Sequence, residues 1–155
     1  PDRFVLGLTE ASLRREVRIT APGVGSRMKG RYCMRPQVTI DVTFNPVTVF
    51  MGADDAEGSC RDKVTWDHEL RHIAVYQGFL ATFAERVEGE LKGRFGNQIY
   101  HFKSPEEGQA YVDSLVSDVL GPMMQAGMDE VRRLQRRVDS TEEYARLDDL
   151  RRRCE

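Results

Sequence analysis

Within residues 64–79, VTWDHELRHIAVYQGF, two of the chain's three histidines stand four apart, and a glutamate directly follows the first. On a helix, His68 and His72 would lie one turn apart on the same face. Two imidazoles at that spacing can share one cation, and Glu69 stands on the flank of the same face. This is the HExxH pattern of zinc-dependent hydrolases. In that chemistry His68 and His72 are metal ligands. Zn2+ acidifies a water at an open coordination position. Glu69 takes the proton and later returns it to the leaving amine, as general base and then acid. The bland alternative is a solvated helix face carrying two idle histidines.

A third ligand is required. His101 is the only other histidine. It falls past the far end of the predicted helix, about 30 Å from His72 at 1.5 Å per residue, and reads as a loop histidine. Glu85, Glu88 and Glu90 share the ligand helix and cannot fold back. A second, returning helix places residues near 127 at the level of His72, which brings Asp129 and Glu130 within reach. The segment VDSTEEY follows one or two turns later.

The elements that must position these groups follow from periodicity. QVTIDVTF alternates Val38, Ile40 and Val42 with Thr39, Asp41 and Thr43, a strand pattern. Asn45-Pro46 interrupts it and VTVFM resumes it, which predicts a hairpin turning at that pair. RFVLGL and REVRIT are two further strand candidates, and GADDAEGSC is a loop. From about residue 61 the period becomes helical: Leu70, Ile73, Leu80, Phe83, Val87 and Leu91 form the expected apolar stripe. GRFGNQIYHFK ends that helix. Ser104, Pro105 and Glu107 open a second with a capping box. Its stripe runs through Val112, Leu115, Val119, Met123, Val131, Leu134 and Val138, and Gly121-Pro122 should kink it. Ser140 and Glu143 form the capping box of a short third helix. The fold class is therefore α+β: a small antiparallel sheet or hairpin, then long antiparallel helices, in the zincin order. One domain is expected over 1–155, β-rich over 1–59 and helical over 60–155.

The match extends beyond HExxH. WDHELRH, a long helical spacer and LQRRVDSTEEY resemble a family of secreted bacterial zinc-dependent proteases, long catalogued as a domain of unknown function. That family pairs an HExxH helix with a distal segment close to Q-x-x-Y-D-x-x-T-x-H. The resemblance covers roughly residues 30–150. It carries over His68, Glu69 and His72 directly, and places Gln135 and Asp139 on the distal segment. Val138 stands where the family has an aromatic residue, and Tyr144 stands where it has a histidine. A carboxylate then has to complete the site. Asp139 is the first choice, Glu143 the next and Glu130 after it. Asp139 and Ser140 can equally serve as helix N-caps, and Glu143 can simply close its box. Tyr144 is a candidate catalytic residue, donating its phenol to a developing oxyanion, or else a half-buried packing residue. Arg71 is expected to pair with an acid, Trp66 and Tyr76 to line the core or a cleft, and Met123, Met124 and Met128 to pack in the core.

Composition limits the function classes. The chain has 155 residues, 31% of them charged, and a formal net charge of -2. No polycationic surface for nucleic acid follows from that balance. The basic residues of RRLQRR and RRRCE alternate with acids and read as a solvated helix face. No run reaches the roughly 18 apolar residues of a membrane span. The first residue is Pro1 rather than Met, which suggests a processed product. Cys33 and Cys60 are expected to form a disulfide, with Cys154 odd, and a secreted or periplasmic setting suits such a bond. The expected partner is a peptide or protein substrate. The rival readings are a non-catalytic helical binding module with structural zinc or none, and a zinc hydrolase of a non-peptide bond.

Overall fold

The computed structural model describes residues 6–20, 22–26, 31–96 and 98–154. The class is α+β, with two small sheets and three helices, two of them long. Strands β1 (Gly7–Thr20) and β4 (Gln37–Met51) pair as one sheet. Strands β2 (Gly23–Ser26), β3 (Arg31–Met34) and β5 (Tyr100–Phe102) form the other, in the order β2-β3-β5 with antiparallel pairing. Helix α1 spans Cys60–Phe95, α2 Pro105–Val138 and α3 Thr141–Arg152.

Two sequence expectations about strands are corrected. REVRIT and the end of RFVLGL are parts of one strand, β1; residues 3–5 lie outside the described residues. Asn45-Pro46 is not a hairpin turn. Strand β4 runs straight through it, with a cis peptide bond at that pair. In a two-stranded sheet each strand keeps one open edge, where the N–H that proline lacks costs no ladder bond.

Helix α1 is long because residues 60–95 contain no proline, and it stops where Gly96 takes a positive φ of 51° and donates its N–H to the Lys92 carbonyl. Its buried stripe differs from the predicted one at the N-terminal end. Leu70 is 41% exposed and Trp66 42% exposed, so neither is core. The covered residues there are Thr65, His68, Glu69 and His72; further along they are Phe79, Phe83, Val87 and Phe95. The predicted register followed hydrophobicity, and the buried positions at this end are polar.

Helix α2 begins at the predicted N-cap, Ser104, but the return arm of the box reaches Lys103 instead of Ser104. The Glu107 N–H donates to Ser104 Oγ (3.2 Å), and the Glu107 carboxylate accepts from the Lys103 N–H (2.8 Å). The Glu106 carboxyl is held below its usual range by hydrogen bonds from its own backbone N–H and from Ser104. The helix continues through Pro122. In α3, Ser140 caps by accepting the Glu143 N–H, but the Glu143 carboxylate turns to Arg71 and Arg146 instead of closing the box.

The disulfide joins Cys60 and Cys154, not Cys33 and Cys60. Cys60 opens α1 and Cys154 follows α3, and their Cα atoms stand 5.6 Å apart. The shortest loop in sequence is not the shortest span in space. Cys33 lies on β3, opposite His101 on β5 in the strand register, with Sγ 3.2 Å from His101 Nδ1. Arg151 is another departure. It is largely buried rather than solvated, and it binds Asp55 Oδ2 and Thr65 Oγ1, both at 2.6 Å.

The chain separates into two compact units of discontinuous segments. One comprises 1–14, 43–81 and 128–155; the other comprises 15–42 and 82–127. The second has its own core of Met34, Phe95, Val112 and Val116, edged by Ile19, Val38, Ile40, Tyr100 and Phe102. The histidine pair belongs to the first. Among the described residues, no helix is long and apolar enough to cross a membrane.

Candidate metal centre

His68 and His72 sit on the inward face of α1, 4% and 8% exposed. Their rings meet edge to face, with centroids 5.2 Å apart. Asp139 follows the last residue of α2, and its N–H still donates to the Gln135 carbonyl (3.1 Å). Because Ser140 caps α3, the Asp139 carboxylate is released from capping. His68 Nε2 lies 3.4 Å and His72 Nε2 3.2 Å from the same oxygen, Asp139 Oδ1. These three side chains form a group that could hold a metal ion. Asp139 is the exposed member, so the site opens toward solvent on its side. The C-terminal end of α2, where Asp139 stands, adds the negative end of a helix dipole to a place that would receive a cation.

The protonation pattern tests whether a cation fits. Gln135 Nε2 donates to the His72 carbonyl at 3.1 Å, which leaves Gln135 Oε1 facing His72 Nδ1 at 2.5 Å. A backbone carbonyl only accepts, so the amide orientation is fixed, and His72 Nδ1 must carry the hydrogen. In the neutral ring, His72 Nε2 then has only a lone pair. It points at Asp139 Oδ1, and a carboxylate oxygen also only accepts. Two acceptors at 3.2 Å repel unless a proton or a cation lies between them. The separations are near those around a cation: around tetrahedral zinc with bonds of 2.0–2.2 Å, neighbouring ligand atoms stand about 3.3–3.6 Å apart. His68 lacks the equivalent support on its nitrogen away from Asp139. Its buried Nδ1 has no hydrogen-bond partner within the protein.

Gln135 is the supporting residue. Besides gripping His72, it hydrogen-bonds the Tyr76 phenol; burial nonetheless raises the pKa of Tyr76 above its ordinary value. In metal sites an acceptor placed behind a histidine in this way fixes its tautomer and ring orientation. The sequence held a signal for it, since Gln135 precedes Asp139 by one helical turn.

Glu69 is 3% exposed and lies against β1. Thr9 Oγ1 donates to Glu69 Oε2 at 2.7 Å. Glu69 Oε1 lies against Gly7, where a Cβ would come within 2.6 Å of it, so only glycine lets the carboxylate approach. Nothing in the sequence pointed to Thr9, which is 60 residues away.

The remaining candidates are elsewhere. Glu143 pairs with Arg71 and with Arg146 (3.1 Å). The bond from Arg146, reinforced by Arg71, holds its carboxyl below the usual range. Arg71 thus has the acidic partner expected of it. Asp129 pairs with Arg132 on the surface at 2.6 Å, and Glu130 is not among the gathered carboxylates. His101 belongs with Cys33. Antiparallel reckoning put residue 127 level with His72, whereas Gln135 is the residue that binds it. The restart of α2 follows β5 and its pairing with β3, not the end of α1 alone. Tyr144 directs its phenol to Asp139 Oδ1 at 3.2 Å, with its ring 5.7 Å from that of His68. A groove of about 400 Å³ in the same unit is lined by residues 9–12, Pro46, Thr48 and Tyr76. No protein-family model matches the chain, and no curated protein or solved structure matches it.

Proposed function

We propose that this protein is a zinc-dependent metallopeptidase of zincin-like build, secreted or periplasmic, acting on peptide or protein substrates. His68, His72 and Asp139 hold the metal. The observation that carries the reading is the convergence of His68 Nε2 and His72 Nε2 on Asp139 Oδ1, with Gln135 holding His72 from behind. Zinc held there supplies Lewis acidity, lowering the pKa of a water toward neutrality and polarising a carbonyl. Glu69 takes the proton of the attacking water and returns it to the leaving amine. Thr9 fixes Oε2 of that carboxylate, and the missing side chain of Gly7 makes room for Oε1. Tyr144 contributes a phenolic hydrogen to the developing oxyanion.

The test is Glu69→Gln in the full chain, with zinc content measured beside hydrolysis of a mixed peptide library. Zinc content should stay at the wild-type level while cleavage falls about 10²–10⁴-fold. Equal cleavage by the two proteins, or a wild-type protein that takes up no zinc, would refute the proposal. One observation favours a second reading, a non-catalytic module with a structural metal. Glu69 is almost wholly covered and already bonded to Thr9. In that case wild type binds zinc and cleaves nothing in the library.

A further inference from the structure

Tyr144 stands in the first turn of α3, beside the metal group and outside the usual set of histidine and carboxylate ligands. Its phenol oxygen is 3.2 Å from Asp139 Oδ1. The two imidazole Nε2 atoms are 3.4 and 3.2 Å from that oxygen. Three polar atoms therefore surround one carboxylate oxygen at nearly equal range. Each separation is close to the ligand-to-ligand distance around tetrahedral zinc, about 3.3–3.6 Å for bonds of 2.0–2.2 Å. The phenol oxygen thus stands from Asp139 Oδ1 as the two imidazole nitrogens do.

From this agreement we infer that Tyr144 is a fourth ligand, binding the metal through its phenol oxygen in the resting protein. The inference rests on the metal-site reading above. On binding, the phenol loses its proton to solvent, and the oxygen lone pair goes to the cation. Two neutral imidazoles, one carboxylate and one phenolate carry two negative charges, which neutralise a divalent ion. The resting centre is then closed, and water or a substrate carbonyl gains access only by displacing Tyr144, whose oxygen takes a proton back from solvent as it leaves and so regains the hydrogen it offers an oxyanion. Movement of the phenol is open to it, because its contact with Asp139 lies on the solvent side. The structure itself contains a simpler arrangement with the same distance, a phenol donating to Asp139. The two differ once a metal is bound: a donor phenol stays protonated, and a ligand phenol does not.

The experiment uses the full chain, stripped of metal and loaded with one equivalent of Cu2+. A Cys33→Ser background removes thiolate absorption from the pair with His101. Phenolate-to-copper charge transfer should give an intense visible band, with tyrosine ring modes enhanced in resonance Raman. Tyr144→Phe should still take up one equivalent of copper and lose the band completely. The spectrum of the Cys33→Ser protein with Tyr144 intact decides the matter even if the phenylalanine variant folds poorly. If that protein binds one copper without such a band, or Tyr144→Phe keeps it, the inference falls and the metal site stands. If it binds neither copper nor zinc, the inference and the reading beneath it both fall.

Discussion

The buried stripe of α1 changes character along its length. Between Thr65 and His72 it covers a hydroxyl, two imidazoles and a carboxylate. From Phe83 through Val87 to Phe95 it covers only hydrocarbon. The second stretch stabilises in the ordinary way, by removing apolar area from water. The first carries a desolvation cost, and each polar group has to recover it from a partner. Thr65 bonds to Arg151 and to the Arg61 carbonyl, Glu69 to Thr9, and His72 to Gln135. A stable helix needs none of this, and leucines in these places would pack more cheaply. Polar burial concentrated in one pair of turns is the mark of a site for which local stability has been given up.

Measurements can break this contrast or sharpen it. The largest expected effect is in the apolar stretch. Phe83→Ala should cost about 3–5 kcal/mol in a urea unfolding experiment, from lost burial and the cavity left behind. A loss below 1 kcal/mol would deny that stretch its role. Next comes the metal-dependent part of the polar stretch. Zinc at 100 times its Kd should add about 2.7 kcal/mol to wild type, read as a rise in Tm that a chelator reverses. Asp139→Ala should abolish that rise; a rise that survives would move the ligand elsewhere. Smaller still is the effect of support. Gln135→Ala should weaken zinc binding about 10–100-fold in a competition titration with a coloured chelator. An unchanged affinity would mean that the tautomer of His72 is set by something else.

How much of this could be read from the sequence depends on the range of each interaction. Helix α1, the shared face of His68 and His72, and the capping serines Ser104 and Ser140 are encoded within four residues or fewer. They appear in the structure where the spacing puts them. Features set by distant partners were misread or unseen. The pairing of Cys60 with Cys154 spans 94 residues, and no local pattern distinguishes it from a bond to Cys33. Strand β4 continues through Pro46, where the local proline signal reads as a break. Leu70 looks like core and is exposed, because at this end of α1 the inward positions belong to His68, Glu69 and His72. Asp139 was reachable from the resemblance of its surrounding segment. Its freedom from capping follows only from Ser140 taking that task.

The Cys60–Cys154 bond has a bearing on durability. Every residue assigned to the centre except Gly7 and Thr9 lies inside the covalent ring it closes. A single backbone scission anywhere in that ring opens it without releasing a fragment. A protein that works among proteases, or is one, can thus be nicked by a neighbour or a twin and keep both imidazoles tethered to their acid.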